Sequence, residues 1–119
     1  MKIILDTDFL INSLKYKIDI ISELNRILDF KYELKIIDKT LEELEGKPYE
    51  RLVLKFLELN NIKSIKTDKL KNVDNLILDL VDEKIIIATQ DKGLKRLLKQ
   101  KNIQIITIRQ KKYLKCSTK

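Results

Sequence analysis

The chain has 119 residues, of which 44% are hydrophobic and 36% are charged, and its formal net charge is +7. This length and composition predict a single globular domain over residues 1–119, and no apolar stretch is typical of a membrane span or a secretory signal. The chain has no histidine and one cysteine, Cys116, which excludes a Ser-His-Asp triad, a histidine-bound zinc and any multi-cysteine metal site. We therefore expect a cytoplasmic protein whose chemistry depends on carboxylates, hydroxyls, lysines and bound ions.

The positive charge is concentrated towards the C-terminus. Residues 92–119 contain ten Lys or Arg and no acid, whereas residues 1–91 contain 15 basic and 18 acidic residues. The C-terminal part thus carries +10 and the rest carries −3. This asymmetry predicts a polyanionic partner, and the alternative is a basic tail that only improves solubility.

Strands and helices are predicted to alternate along the chain. Residues 3–5 form a short apolar run that suits a strand buried on both faces, and a short helix is expected from Thr7. The sequence Thr40-Leu-Glu-Glu43 has the form of a capping box, which predicts that a helix starts at Thr40. The other predicted elements are a helical stripe over 17–30, a strand over 33–37, a helix over 49–60 with Pro48 at its start, a strand over 62–65, a loop over 67–72, a helix over 73–82, a strand over 84–89, a helix over 91–101 and a last strand over 104–108.

This alternation with short connections predicts an α/β fold. We expect a three-layer α/β/α sandwich around a central, mainly parallel sheet of roughly five strands. Residues 109–119 are expected to form a basic C-terminal segment. Individual expectations are that Leu52, Phe56 and Leu59 line one face of helix 49–60, that Leu94, Leu97 and Leu98 face inward from helix 91–101, and that Asn102 ends that helix in the left-handed conformation.

Four carboxylates occupy comparable places in these elements. Asp6 follows the first strand, Glu43 lies near the start of a helix, Asp74 lies in the first turn of another helix, and Asp91 follows the strand over 84–89. Taken singly, each has a structural explanation, because acids are common at helix N-termini and Glu43 would complete the capping box. Together they are expected at one edge of the sheet, because right-handed crossovers bring strand ends and helix starts to the same edge.

Carboxylates that converge in this way repel one another unless a cation neutralises them. Oxygen ligands select a hard ion, so we expect Mg²⁺ or Mn²⁺. Such an ion polarises a phosphoryl oxygen and lowers the pKa of a bound water, which supplies a nucleophile without histidine. Thr7 and Thr89, close to the acids, either orient that water or only end their strands.

Four sequence blocks resemble the acidic blocks of PIN-domain ribonucleases, in the order of that family and nearly at its spacing. They are Leu5-Asp-Thr-Asp-Phe-Leu10, Leu41-Glu-Glu-Leu44, Val73-Asp-Asn-Leu-Ile77 and Ala88-Thr-Gln-Asp-Lys92. The resemblance covers almost the whole chain and implies a PIN-like fold and Mg²⁺- or Mn²⁺-dependent cleavage of RNA that leaves a 5′-phosphate. It is also compatible with a homodimer. It assigns Asp6, Glu43, Asp74 and Asp91 to catalysis and to the metal site.

The closing segment narrows the choice within that family. The sequence Thr107-Ile-Arg-Gln-Lys-Lys-Tyr-Leu114 is similar to the end of archaeal PIN proteins related to the eukaryotic nuclease that trims small-subunit ribosomal RNA. The VapC toxins, another branch, usually carry an acid where this chain has Gly93. These features favour processing of a ribosomal RNA precursor, with a ribosome-assembly partner. The alternatives are a VapC-like toxin with an antitoxin partner and a non-catalytic RNA-binding module.

Two positions depart from the family pattern. Asp8 stands where Asn is usual, so it either supports the metal site or crowds it, and Asn75 replaces a second acid. Basic residues of the C-terminal part are the candidates for contacts with RNA phosphates, which position a strand but carry little sequence information. They are Lys92, Lys95, Arg96, Lys99, Arg109, Lys111 and Lys112. Tyr113 either stacks on an unpaired base or packs on its own domain, and we favour packing.

Overall fold

The fold is that of a computed structural model, which describes residues 1–68 and 71–117 and, for Val73 and Asp74, the backbone alone. Lys69 and Leu70 of the predicted loop lie outside the described residues. The strands are β1 (Lys2–Leu5), β2 (Glu33–Ile37), β3 (Lys63–Ile65), β4 (Ile85–Ala88), β5 (Ile105–Arg109) and β6 (Tyr113–Cys116). The helices are α1 (Thr7–Lys15), α2 (Ile20–Ile27), α3 (Asp38–Leu44), α4 (Glu50–Leu59), α5 (Val73–Leu80) and α6 (Lys92–Gln100).

The six strands form one sheet in the order β3-β2-β1-β4-β5-β6. All neighbouring pairs are parallel except β5 and β6, which are antiparallel. The chain moves outward from β1 through β2 to β3 and then returns to the other side of β1, so β1 and β4 form the topological switch point, where α/β proteins bind ligands. The predicted α/β fold with a mainly parallel sheet is confirmed, with six strands rather than roughly five.

Helices cover both faces of the sheet, which explains the unbroken apolar run in β1. Ile3 and Leu5 join the core on the side of α1, α2 and α4, whereas Ile4 packs with Leu94 and Leu98 of α6 on the other side. The side chains of Ile3, Ile4 and Leu5 all have 0% exposure. Burial of a side chain of this size contributes about 1.5–3 kcal/mol, so β1 is strongly held at the centre of the sheet. Within the described part of the chain, every helix is too short or too polar to cross a bilayer.

Two helix starts differ from the prediction. α3 begins at Asp38, directly after β2, so Thr40 lies inside the helix with 0% exposure and the predicted capping box is wrong. α4 begins at Glu50, preceded by Tyr49 in the left-handed conformation with φ 71°, so Pro48 lies outside the helix. At both places the helix start is set by how the chain leaves the preceding segment, and not by the capping residues that the sequence suggested.

The buried face of α4 is not the predicted one. Leu52 and Leu59 are 53% and 74% exposed and Phe56 is half-buried, whereas Val53 and Leu57 lie in the core. Both sets have helical spacing and differ by a rotation of about 100°, so periodicity alone does not choose between them.

The predicted end of α6 is confirmed, whereas one of its inward residues is not. Asn102 adopts φ 58° immediately after the C-cap Lys101, as expected for a helix that closes in the left-handed conformation. Leu97 is 42% exposed, so its predicted inward position is wrong. The core contacts of α6 come from Leu94 and Leu98.

Residues 113–116, expected to be part of a basic extension, form the edge strand β6. Leu114 is fully buried, and α2 covers the outer edge of the strand. Glu23 Oε1 accepts a hydrogen bond from the Leu114 N–H (2.9 Å), and Arg26 Nη2 donates one to the Leu114 carbonyl (3.0 Å). These contacts replace those of a further strand and close this edge. The Tyr113 ring lies 6.0 Å from the Arg26 guanidinium of its own domain but stays 36% exposed, so the packing expected for it is only partial.

Candidate active site

Asp6 lies where β1 ends and α1 begins, and it is only 7% exposed. Its Oδ1 accepts a hydrogen bond from the Thr7 N–H (2.9 Å), and its Oδ2 accepts one from the Thr89 hydroxyl (2.7 Å). These bonds replace water around a carboxylate that the fold has largely covered. Because a carboxylate oxygen carries two lone pairs, it can accept a hydrogen bond and coordinate a cation at the same time.

Thr89 connects Asp6 to Asp91 across the β1–β4 switch point. Its fully buried hydroxyl donates to Asp6 Oδ2 and accepts a hydrogen bond from the Asp91 N–H (3.1 Å). Asp91 is the N-cap of α6, and its Oδ1 accepts from the Leu94 N–H (2.7 Å). Asp6 and Asp91 therefore do cap helices, as their structural explanation predicted. The same caps hold both carboxyl groups at one edge of the sheet.

Glu43 reaches the same edge from α3. The Thr7 hydroxyl donates to Glu43 Oε1 (2.6 Å) and lies 3.4 Å from the Thr40 hydroxyl. Thr7 and Thr40 are 3% and 0% exposed, and Glu43 is half-buried. Because α3 begins before Thr40, Glu43 does not serve as a capping residue. Its side chain is instead tied to the residue that follows Asp6.

The two threonine hydroxyls are therefore engaged with the acids. Each hydroxyl has one proton, which Thr7 directs at Glu43 and Thr89 directs at Asp6. This arrangement favours a role in holding the carboxylates over a role in orienting a water. Asp8, the other supporting candidate, is exposed in the first turn of α1.

The fourth predicted acid, Asp74, is the second residue of α5, and its side chain lies outside the described residues. The segment that precedes α5 is held beside α3, because Asp38 accepts hydrogen bonds from the Thr67 N–H (3.1 Å) and hydroxyl (2.5 Å). Sequence reasoning did not predict this contact. This contact places Thr67 at the carboxyl end of β2, where α3 begins.

The donor set suits a hard cation. Asp6, Glu43 and Asp91 offer carboxylate oxygens, and no histidine exists in the chain to provide nitrogen. Among the side chains that the structure describes, which do not include that of Asp74, no group of three acids is close enough to form a metal-binding cluster. The types of donor atom therefore fit Mg²⁺ or Mn²⁺.

Four of the seven predicted RNA-binding residues lie on α6, the helix that Asp91 caps. The pKa of Lys95 is lowered first by partial burial and then by repulsion from neighbouring cations, whereas Asp91 opposes the shift. These cations are Arg109, Lys99 and Lys92. Four basic residues of α6 share one helix face because their spacing is i, i+3, i+4 and i+7. They are Lys92, Lys95, Arg96 and Lys99.

The remaining predicted cations lie in the turn that joins β5 and β6. The Lys112 N–H donates to the Arg109 carbonyl (3.0 Å) and closes the turn. The Lys111 ammonium lies 5.6 Å from the centre of the Tyr16 ring, at the end of α1. Sequence reasoning missed Tyr16, whose only signal was its place between Lys15 and Lys17. We name the α6 face together with Arg109, Lys111 and Lys112 the basic surface.

The mostly parallel six-stranded sheet with helices on both faces matches a PIN-like fold. Residues 3–111 match the family model of the PIN like domain, and the chain belongs to this family. It is 40% identical to Ribonuclease VapC4 of Methanocaldococcus jannaschii over 123 residues, which cover 94% of this chain and 93% of that protein. It is also similar to the solved structure of the PIN domain endonuclease Utp24, with a TM-score of 0.84 and 26% identity over 98% of this chain and 90% of that one. The predicted family resemblance is confirmed.

Proposed function

We propose that the chain is a divalent-metal-dependent endoribonuclease that hydrolyses phosphodiester bonds of RNA. The observation that carries the proposal is the series of hydrogen bonds that ties Glu43 to Thr7, and Asp6 through Thr89 to Asp91, next to a basic surface. A structural role alone requires caps but no such connection between separate helices. The names of the two relatives, a ribonuclease and an endonuclease, support the same activity.

Four acids would hold Mg²⁺ or Mn²⁺ through their carboxylate oxygens. They are Asp6, Glu43, Asp74 and Asp91. When bound, such a cation polarises a phosphoryl oxygen and lowers the pKa of a bound water. Thr89 holds Asp6 in a fixed relation to Asp91, and Thr7 holds Glu43. Carboxylates held in this way need little rearrangement when the ion arrives, which is the advantage of a preorganised site.

The basic surface would bind RNA phosphates on one side of the acids. Lys95 is close enough to Arg109 for the two positive charges to repel each other, and it also interacts with Asp91. A phosphate between Lys95 and Arg109 would relieve that repulsion. Binding through phosphates should weaken steeply with salt. An affinity that stays constant from low to high salt would contradict this part of the proposal.

For the substrate, we propose a ribosomal RNA precursor, on the similarity of residues 107–114 to archaeal relatives of a ribosomal RNA-trimming nuclease. The second candidate is a toxin ribonuclease that an antitoxin controls. The specific observation in its favour is the 40% identity to a protein named VapC4. A cytoplasmic location, a homodimer and a ribosome-assembly partner stay predictions.

The experiment that tests the activity is Asp91→Asn, with Asp19→Asn as its matched control. Both aspartates are helix N-caps, since Asp19 Oδ1 accepts from the Ser22 N–H (3.1 Å) at the start of α2. Asn caps a helix about as well as Asp. We expect both variants to keep wild-type stability. Only Asp91→Asn should abolish Mn²⁺-dependent cleavage of a structured RNA, measured by gel with detection of the 5′-phosphate product.

The possible outcomes separate the rival functions. Full activity of Asp91→Asn would leave this residue with its capping role alone. RNA binding without cleavage by the wild-type chain would indicate a non-catalytic module. Growth arrest on expression of the wild-type chain, but not of Asp91→Asn, would favour the toxin over the processing enzyme.

A further inference from the structure

Tyr16 is a half-buried aromatic residue at the C-terminal end of α1, and it was not among the predicted site residues. One part of the side chain packs against the core on the α1 side of the sheet. Two ammonium groups approach its ring, that of Lys111 at 5.6 Å from the ring centre and that of Lys15 at 5.8 Å. Lys15 belongs to α1, whereas Lys111 comes from the β5–β6 turn. Two distant segments therefore direct cations at one aromatic ring.

The β5–β6 turn presents Lys111 in a conformation that few non-glycine residues adopt. Gln110 and Lys111 have φ values of 53° and 56°. Left-handed backbone is unfavourable for residues that carry a Cβ, and Asn-Gly would form a turn of this kind with less strain. This turn holds Lys111 at the end of α1, where its ammonium group meets the Tyr16 ring.

The basic surface leads from the acids to this ring. Lys95 lies near Asp91 and near enough to Arg109 for repulsion to lower the pKa of Lys95. Arg109 begins the turn that carries Lys111. The Lys111 ammonium in turn lies 5.6 Å from the centre of the Tyr16 ring, so a series of cations extends from Asp91 to this ring.

We propose that Tyr16 is a stacking platform for one base of single-stranded RNA, with Lys15 and Lys111 beside the neighbouring phosphates. This inference rests on the proposed ribonuclease function and adds a base-binding residue to the RNA-binding surface. A basic path combined with an aromatic face is how proteins hold single strands. In a duplex the bases stack on each other, so the ring has no base to contact.

Other tyrosines are placed less suitably for this role. Tyr113 lies under the Arg26 guanidinium, on the side of β6 that α2 covers. Tyr32 precedes β2, so it lies at the amino ends of the parallel strands, away from the acids, and its hydroxyl donates to Asn25 (2.8 Å). Tyr32 is half-buried like Tyr16, so it provides a matched control.

The test measures RNA binding in the Asp91→Asn background, which prevents cleavage. Tyr16→Phe keeps the aromatic face, Tyr16→Leu removes it and leaves an apolar side chain against the core, and Tyr32→Leu is the control. Fluorescence anisotropy compares a short single strand with a duplex of the same sequence. We expect Tyr16→Leu to weaken single-strand binding by roughly 5- to 150-fold. Tyr16→Phe and Tyr32→Leu should bind like the parent, and all variants should bind the duplex equally.

A second measurement does not depend on how well the leucine variant folds. Single strands that carry 2-aminopurine at successive positions are added to the parent and to Tyr16→Phe, and one position should lose fluorescence in both. Absence of quenching at every position, or an equal loss of single-strand and duplex affinity in Tyr16→Leu, would overturn the stacking proposal. If the wild-type chain still cleaves RNA with Mn²⁺, only the stacking proposal is lost. If it neither cleaves nor binds RNA, the proposed function is lost as well.

Discussion

The Thr89→Val substitution tests whether one hydroxyl holds the acids of two strands together. Valine has nearly the shape of threonine, so packing at this fully buried position is kept. The variant loses the donor to Asp6 Oδ2 and the acceptor for the Asp91 N–H. A hydrogen bond to a charged group contributes about 1.5–3 kcal/mol and a neutral one about 0.5–1.5 kcal/mol. The free energy of unfolding should therefore fall by about 2–4.5 kcal/mol.

Urea denaturation and metal-dependent cleavage measure the two consequences. Thr89→Ser keeps the hydroxyl and removes one methyl group, so it should lose only about 0.5–1.5 kcal/mol. For a domain of this size, a loss of 1 kcal/mol lowers the melting temperature by about 3–6 °C. Mn²⁺-dependent cleavage should fall further in Thr89→Val than in Thr89→Ser, because the valine variant no longer fixes Asp6 relative to Asp91.

A matched control is Thr107→Val in β5. Thr107 is 9% exposed and lies in a strand, but its hydroxyl makes no hydrogen bond to a carboxylate of the described residues. We expect this variant to unfold within about 0.5 kcal/mol of the wild type. Equal stability of Thr89→Val and Thr89→Ser would refute the claim that the Thr89 hydroxyl supports Asp6, and with it the argument for a preorganised site.

Three further predictions concern the edge strand, the turn and the basic surface. The pKa of Glu23 is lowered chiefly by its hydrogen bond with Arg26 and then by a backbone N–H of β6. Ionised Glu23 therefore stabilises the fold at pH values above its unfolded pKa of about 4.3, and this stabilisation is lost as the pH falls through the lower pKa of the folded state. Denaturation of Glu23→Gln should therefore show a deficit at pH 7 that disappears in acid, and a deficit that is constant with pH would contradict the reasoning. Gln110→Gly should raise the free energy of unfolding by up to about 1 kcal/mol by relieving left-handed backbone, and a melting temperature below that of the wild type would count against strain in this turn. Arg109→Gln should reduce the slope of log affinity for RNA against log salt by about 1, whereas Lys55→Gln on α4 should leave it unchanged; equal slopes for both would remove Arg109 from the basic surface.

The central strands could be predicted because burial on both faces leaves a simple signal. β1 and β4 are short apolar runs that end near acids, and their adjacency follows from the strand order of doubly wound sheets. β6 has no such signal. Of its four residues only Leu114 is fully buried, and the preceding turn lacks the usual Asn-Gly. Glu23 and Arg26, which close its edge, lie far away in sequence.

The positions of the acids were accessible from the sequence, but their connections were not. Asp6 and Asp91 follow strands that meet at the switch point, so their proximity could be inferred. The hydrogen bond from Thr7 to Glu43 depends on where α3 begins, and a helix start displaced by two residues changes the direction of every side chain on that helix. Tyr16 was missed for a similar reason, because Lys111 reaches its ring only through the unpredicted β5–β6 hairpin.

Gly93 bears on the choice between a processing enzyme and a toxin. A Cβ at this position would lie 3.3 Å from Asp91 Oδ1, the oxygen that caps α6, so a larger residue would push on that carboxylate. The glycine therefore reflects the space that Asp91 needs as well as any difference between branches. The chain is also 40% identical to a protein named VapC4, which further weakens Gly93 as a marker of the processing branch. The range of RNAs that are cleaved separates the two functions better. The Tyr16 proposal requires unpaired RNA for both. A processing enzyme must find an unpaired segment within one folded precursor, whereas a toxin must find such segments in many cellular RNAs.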